Sequence, residues 1–206
     1  MIKKLNESII SAGFGGQGVL TVGKFFAGCA MEEGYYVTWL PSYGAEVRGG
    51  TAHAFVRISS DPIPNPKVTL AKTAVIMNDL SLNMFEDRVE IGGLMILNSS
   101  MMEHEPKRQD IKIIPAPLTE EAIKLGNIKV ANMIAAGIYS AIKKIFDKEN
   151  IVKVIHKMPK LKKDLKELNV KAVERGMELA ERFFSNNQSN VAKVAVNSLT
   201  PRTLAG

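Results

Sequence analysis

The chain has 206 residues, of which 46% are hydrophobic and 23% charged, and its formal net charge is +6. This balance is typical of a globular domain, and no apolar run reaches the ~18–20 residues that a membrane span requires. The sequence has one cysteine and three widely separated histidines, so it offers no internal disulfide, iron–sulfur cluster or cysteine- or histidine-based metal site.

The N-terminal pattern predicts a strand, a glycine turn, a helix and a second strand, at residues 7–12, 13–18, 19–33 and 35–40. The spacing of Gly13, Gly15 and Gly18 fits the dinucleotide-binding fingerprint. Bare backbone in such a turn can approach a phosphate closely, while the amides at the helix N-terminus point toward it. The alternative is that the glycines only allow the helix to pack tightly against the strand.

A nicotinamide-binding domain of this kind needs an acidic residue at the end of the second strand, to hold the ribose hydroxyls. That strand ends here in Trp39-Leu40-Pro41-Ser42-Tyr43, without an acid. A stand-alone NAD-dependent oxidoreductase is therefore kept only as the alternative function. Acidic residues are interleaved with the basic ones in the C-terminal region, which disfavours a nucleic-acid-binding protein.

The loop 41–51 combines an aromatic ring, a carboxylate, a guanidinium and several glycines, in Ser42, Tyr43, Glu46, Arg48, Gly49 and Gly50. Loops that follow the first two strands gather at the carboxyl edge of an open α/β sheet, where ligands bind. Arg48 offers a planar fork suited to a phosphate or carboxylate. The alternative is a surface ion pair between Glu46 and Arg48, but long glycine-rich loops are more often functional.

The remaining pattern predicts strands at 51–58, 73–77, 94–97 and 111–114, and helices at 79–89, from 119, at 130–146 and from 159. Asp79 and Ser81 are the expected caps of the first of these helices. The predicted fold is α/β, with a mostly parallel sheet in a Rossmann-like three-layer sandwich and a helical C-terminal third. We place one domain at 1–184 and a polar, flexible tail at 185–206.

Three single residues complete the set of candidates. Asn132 opens a helix, and it either reaches the glycine turn or caps its own helix. We expect His53 to be a structural or interface residue, because no carboxylate partner lies near it in sequence. Cys29 lies in an apolar helix and is expected to be a buried, inert thiol. We assign no catalytic residue to this chain.

Three motifs resemble the gamma subunit of 2-oxoacid:ferredoxin oxidoreductases, which is also the gamma domain of single-chain pyruvate:ferredoxin oxidoreductase. They are Gly13-Phe14-Gly15-Gly16-Gln17-Gly18-Val19, Trp39-Leu40-Pro41-Ser42-Tyr43-Gly44-Ala45-Glu46-Val47-Arg48-Gly49-Gly50-Thr51-Ala52 and Val130-Ala131-Asn132-Met133. The second motif is most similar to the members that act on 2-oxoglutarate or branched-chain 2-oxoacids. Ala45 departs from the pattern, since the family usually has proline there.

The resemblance implies a complex that oxidatively decarboxylates a 2-oxoacid, here 2-oxoglutarate, to its acyl-CoA and reduces ferredoxin. It implies alpha, beta and delta partner subunits that hold thiamine diphosphate, Mg²⁺ and the iron–sulfur clusters. This chain, inactive alone, would supply a coenzyme-A-facing and interface surface. The expected contacts are Gly13, Gly15, Gly16, Gln17, Gly18, Ser42, Tyr43, Glu46, Arg48, Gly49, Gly50 and Asn132. No metal, nucleic-acid or membrane site is expected, and without a signal-peptide pattern we expect a cytoplasmic location.

Overall fold

A computed structural model describes residues 3–43, 50–159 and 161–197 of the chain. Each predicted strand is present, and the strands are β1 (Asn6–Phe14), β2 (Tyr36–Tyr43), β3 (Thr51–Ser59), β4 (Ala71–Ile76), β5 (Val89–Asn98) and β6 (Lys112–Ala116). The helices are α1 (Val19–Glu32), α2 (Asp79–Phe85), α3 (Leu118–Lys124), α4 (Ala131–Lys143), α5 (Lys148–Lys157) and α6 (Lys163–Asn197). No helix among these residues is long and apolar enough to cross a membrane.

The six strands form one sheet in the order β2-β3-β1-β4-β5-β6. Strands β1, β4, β5 and β6 are parallel, while β3 runs antiparallel between β1 and β2. The mostly parallel α/β fold is confirmed, but β2 is not the neighbour of β1 that a simple strand–helix–strand unit would give. Because β3 is antiparallel to both β1 and β2, the C-terminal ends of β1 and β2 and the start of β3 all lie at the carboxyl edge of the sheet.

The two sides of the sheet are covered unequally. One side is buried under α1, α3, α4, α5 and α6, which share a single apolar core with alternate residues of the strands. The other side carries α2 and a smaller core centred on β1, β4 and β5. The sheet thus has helices on both sides, as predicted, but α2 leaves part of its own side uncovered.

Helices α4 and α6 cross at two glycines. A Cβ atom placed on Gly137 would lie 2.0 Å from the carbonyl oxygen of Val173, and one on Gly176 would lie 2.0 Å from that of Ile134. The two backbones are therefore in direct contact, which only residues without a side chain allow. This crossing fixes α4, whose N-terminus lies at the carboxyl edge of the sheet.

Several helix boundaries differ from the predicted ones. Asn78, not Asp79 or Ser81, caps α2, because its Oδ1 accepts a hydrogen bond from the amide of Ser81 at 2.8 Å. Helix α5 was not predicted, and α6 begins at Lys163 rather than at Pro159.

Helix α6 also continues to Asn197, beyond the predicted domain boundary at residue 184. Part of the predicted tail is therefore helical, and residues 198–206 lie outside the described residues.

Candidate functional site

The turn between β1 and α1 depends on two glycines in left-handed conformations, Gly16 with φ +102° and Gly18 with φ +74°. Residues with a side chain rarely adopt such angles. Among the described residues, no atom lies within 4 Å of a Cβ atom placed on Gly16, whereas one on Gly18 would lie 2.5 Å from Nδ2 of Asn132. The described residues therefore leave space for a ligand above Gly16, while Gly18 is packed against α4.

The side chain of Gln17 holds this turn together. Its Oε1 accepts hydrogen bonds from the amide of Phe14 at 2.7 Å and from Nδ2 of Asn78 at 2.9 Å. Its Nε2 donates to the carbonyl oxygen of Met77 at 3.2 Å. The sequence predicted Gln17 as a ligand contact, but its side-chain amide is occupied by the protein itself and positions the turn.

Two main-chain amides of the turn are also used internally. The amide of Gly15 donates to the carbonyl oxygen of Gly50 at 2.9 Å, and that of Gln17 donates to the carbonyl oxygen of Phe14 at 3.1 Å. The first of these bonds ties the turn to the start of β3. Gly13 is tightly packed, since a Cβ atom there would lie 2.9 Å or less from Gln17, Val19 and Met77.

The amides of Gly16 and Gly18 have no acceptor within the described part of the chain. The amides of residues 19–21, in the first turn of α1, likewise lack an intrahelical acceptor, as at every helix N-terminus. The partial positive charge of a helix start adds to these donors. Together they form a group of N–H donors suited to an anion.

The sequence left two roles for Asn132, contact with the glycine turn or capping of its own helix, and the structure shows the first. Its Nδ2 donates to the carbonyl oxygen of Gly18 at 3.0 Å, and the residue is only 3% exposed. It makes no capping hydrogen bond in α4, whose N-cap is Val130. Its Oδ1 is buried without a partner among the described residues, so the side chain is held by one bond and by packing.

The second half of the predicted site is described only at its ends. Ser42 is exposed and lies opposite His53 in the β2–β3 ladder, and Gly50 is bonded to Gly15 as above. The side chain of Tyr43 and all of Glu46, Arg48 and Gly49 lie outside the described residues. Their roles stay predictions.

Two asparagines that the sequence analysis missed support the turn from below. Asn78 bonds to Gln17, and Asn98 donates through Nδ2 to the carbonyl oxygen of Met77 at 3.2 Å and to Oγ1 of Thr119 at 2.8 Å. Both asparagines follow or end buried strands of the sheet. A polar residue directly after an apolar strand is the signal that would have identified them.

His53 and Cys29 take the structural roles predicted for them. The His53 ring lies 5.1 Å from the ring of Phe55 and 4.9 Å from that of Phe85. Its pKa is lowered, mainly by burial and further by Arg88, which favours the neutral ring. Cys29 is fully buried, and burial raises the pKa of its thiol far above the ordinary range, so it carries no reactive thiolate.

A cluster of Asp79, Glu103 and His104 lies beside the capping residue Asn78. Asp79 Oδ1 accepts the amides of Glu103 and His104 at 3.2 and 3.0 Å, and Oδ2 lies 2.8 Å from Nδ1 of His104. These hydrogen bonds lower the pKa of Asp79, and the bond with the His104 side chain has the largest effect. The spacing of the histidines in the sequence does not reveal this cluster. Both carboxylate oxygens of Asp79 already have hydrogen-bond partners within the protein.

Residues 8–179 match the family model for pyruvate ferredoxin/flavodoxin oxidoreductases. Subunit VorA of ketoisovalerate oxidoreductase from Methanothermobacter thermautotrophicus is 33% identical over 170 residues, which are 82% of this chain and 35% of the relative. Subunit KorC of 2-oxoglutarate synthase from Methanocaldococcus jannaschii is 28% identical over 87% of this chain and 97% of the relative. The chain thus spans about a third of the first relative and nearly all of the second.

Two solved structures share the fold. The gamma subunit of a keto/oxoacid ferredoxin oxidoreductase from Geobacter sulfurreducens superposes with a TM-score of 0.73 at 24% identity, over 85% of this chain and 99% of that one. The second is the 2-oxoglutarate:ferredoxin oxidoreductase from Magnetococcus marinus, with 2-oxoglutarate, coenzyme A and succinyl-CoA bound. It superposes with a TM-score of 0.78 at 24% identity, over 87% of this chain and 32% of that one.

These comparisons give no support to a stand-alone NAD-dependent oxidoreductase. The sheet agrees, because β3 separates β1 from the strand that would have to carry the ribose-binding acid. The family model covers the glycine turn, all of α4 and about half of α6. The chain therefore belongs to the pyruvate ferredoxin/flavodoxin oxidoreductase family, in which it corresponds to the gamma-subunit domain of the 2-oxoacid:ferredoxin oxidoreductases.

Proposed function

We propose that this chain is the gamma subunit of a complex that oxidatively decarboxylates a 2-oxoacid to its acyl-CoA and transfers the electrons to ferredoxin. Membership of the family supports the class of reaction. Thiamine diphosphate, Mg²⁺ and iron–sulfur clusters belong, in this proposal, to alpha, beta and delta partner subunits. The single, buried Cys29 agrees with that division, because a cluster takes about four cysteine ligands.

The contribution of this chain is a binding surface for coenzyme A at the glycine turn. The observation that carries this role is that the amides of Gly16 and Gly18, next to the N-terminus of α1, have no acceptor among the described residues, which also leave space above Gly16. Coenzyme A carries several phosphate charges, which such donors bind through backbone N–H groups. The bound coenzyme A in the Magnetococcus marinus relative supports the choice of this anion.

Arg48 is proposed as a second contact with a phosphate of coenzyme A or with a partner subunit. It comes shortly before Gly50, whose carbonyl oxygen is bonded to the turn. A guanidinium can bind a phosphate through two parallel hydrogen bonds. Tyr43 and Glu46 are proposed to shape the same loop.

The proposed 2-oxoacid is 2-oxoglutarate. The KorC relative, a subunit of 2-oxoglutarate synthase, is matched over nearly its whole length. Relatives named for ketoisovalerate and pyruvate are also found, so the assay has to compare the three acids directly. We expect the purified complex to give its highest kcat/KM with 2-oxoglutarate, and a higher value with 2-oxoisovalerate or pyruvate would contradict this assignment.

The coenzyme A site is tested by Gly16→Ala in the purified complex. The added methyl group enters the open space above the turn, so we expect the KM for coenzyme A to rise at least about tenfold. The KM for the 2-oxoacid should stay within about twofold, because only one substrate is obstructed. Gly92→Ala is the matched control, since Gly92 also has a left-handed backbone and no described atom within 4 Å of its Cβ position. Gly92 lies in β5 near the amino end of the parallel strands, away from the glycine turn.

An unchanged KM for coenzyme A in Gly16→Ala would show that the turn does not bind this substrate. The subunit assignment is tested separately with the isolated chain. Given thiamine diphosphate, Mg²⁺, coenzyme A and a viologen dye, it should oxidise no 2-oxoacid. Activity of the isolated chain would contradict a function that depends on partner subunits.

A further inference from the structure

Strand β3 lies inside the sheet, yet one of its two faces is only partly buried by the described residues. Its residues alternate strictly, because Ala54, Val56 and Ile58 are fully buried under α1 while Phe55 and Arg57 are only partly buried. An interior strand normally has both faces covered when helices lie on both sides of the sheet. The described residues therefore cover this side of β3 only in part, where α2 lies beside it.

The neighbouring edge strand β2 extends this uncovered area. Tyr36 and Leu40, which face the same side, are 52% and 40% exposed. We call the surface formed by Tyr36, Thr38, Leu40, His53, Phe55 and Arg57 the open face. Helix α2 borders it through Phe85, whose ring lies 6.4 Å from that of Phe55.

The open face carries positive charge around its apolar centre. The Arg88 guanidinium lies 4.9 Å from the Phe55 ring centroid, and Arg57 lies in the same strand. At the amino end of β4, Lys67, Lys72 and Arg57 line one depression together with the single acid Glu90. A binding partner that matches this surface has an apolar centre bordered by carboxylates.

A second copy of this chain does not fit that description. A two-fold dimer would place the open face against itself, so that cations of one copy would meet cations of the other. Like charges brought together at an interface oppose association. The partner is therefore a different polypeptide with the opposite charge.

The lengths of the relatives supply an independent reason. The matched region is 35% of the VorA chain and 32% of the Magnetococcus marinus chain, but 97% of the KorC chain. The same fold thus occurs both as nearly a whole chain and as one part of a longer chain. In the longer chains the other parts are available to cover a face that a separate chain leaves open.

We propose that the open face docks a companion subunit of the oxidoreductase, through a surface with an apolar centre and a rim of carboxylates. This inference rests on the proposed function, which supplies the companion subunits. It assigns the docking role to the side of the sheet opposite the large helical layer.

The test uses the complex purified from cells through a tag on this chain. Leu40→Glu places a carboxylate in the apolar centre, and Arg57→Glu reverses a charge at the rim. Because each change opposes docking, we expect at least about tenfold less companion subunit to be recovered with either variant. Ile123→Glu is the matched control, since Ile123 is 58% exposed in α3 on the other side of the sheet, and it should retain the companions.

Hydrogen–deuterium exchange of the wild-type protein checks the same surface without a substitution. Residues 36–42 and 51–58 should exchange more slowly in the complex than in the isolated chain. Equal exchange, normal recovery with both open-face variants, or a dimer of the isolated chain that Leu40→Glu dissociates would each overturn the docking proposal. If the wild-type chain recovers no companion at all, the proposed function itself fails.

Discussion

The side-chain amide of Asn132 donates a hydrogen bond to the carbonyl oxygen of Gly18 at 3.0 Å, joining residues that are 114 positions apart. The same oxygen accepts the amide of Val22, the first intrahelical bond of α1. The start of α4 therefore holds the start of α1. Any ligand bound at the glycine turn is positioned, through this contact, by the helical third of the chain.

Replacing Asn132 should loosen this connection. Asn132→Ala removes a buried donor and leaves a small cavity, so we expect the free energy of unfolding to fall by about 1–3 kcal/mol. Asn132→Asp should cost more, because it places a carboxylate oxygen against the carbonyl oxygen of Gly18. Chemical denaturation measures both effects. The exposed Asn6→Ala is the control, and an equal loss in Asn6→Ala and Asn132→Ala would contradict the assigned contact.

The crossing of α4 and α6 should tolerate no side chain. In Gly137→Ala the added methyl group would overlap the carbonyl oxygen of Val173, so the helices must separate, at a cost of about 2–4 kcal/mol. Gly28→Ala in α1 is the comparison, because its Cβ atom would lie 3.0 Å from a methyl group of Val154, which can shift. We expect Gly28→Ala to change the unfolding free energy by less than about 1 kcal/mol, since alanine also favours the helix. Similar losses in both variants would show that the helices are not in backbone contact.

Glu121 should contribute to stability in a pH-dependent way. Hydrogen bonds from Lys124 and Arg175 lower the pKa of this buried carboxyl, and the bond from Lys124 has the larger effect. A carboxyl with a lowered pKa stabilises the fold above its unfolded value of about 4.3, and this contribution is lost as the pH falls through the folded value. Between pH 6 and pH 3, Glu121→Gln should therefore lose less stability than the wild type. Parallel pH profiles of the two proteins would contradict this role.

Cys29 should not react in the native protein. It is fully buried and its pKa is raised by burial, so at pH 8 we expect modification by Ellman's reagent to be at least about 100-fold slower than in denaturant. One equivalent of thiol should then be released on unfolding, because the chain has one cysteine. Rapid labelling of the folded chain would mean that the helix around Cys29 opens.

The sequence predicted the individual strands and helices better than it predicted which of them lie next to each other in the fold. The strand, glycine turn and helix at the N-terminus, and every later strand, follow from patterns that lie within about ten residues. The position of β3 between β1 and β2 does not, because the local pattern of a strand does not specify which strands it pairs with. Helix α5 was missed because only Ile151, Val154 and Ile155 are buried in a short segment that is rich in charged residues.

The same distinction holds for the candidate site. The glycine spacing identified the turn, since left-handed backbone at Gly16 and Gly18 is a local requirement. Gln17 was predicted to contact the ligand, but the groups that occupy its side chain include Asn78 and Met77, which come 60 residues later. Asn132 was predicted with two open roles, and only the packing of α4 against α1 distinguishes them.

The antiparallel insertion of β3 has a consequence for how this fold diversifies. Tyr43 and Ala52 are direct ladder partners, so the segment that joins them leaves the sheet and rejoins it at adjacent points. Its length and sequence can then change without shifting any strand, as with the tip of a β-hairpin. Substitutions between these two points would change the carboxyl edge of the sheet while the register of β2 and β3 stays the same.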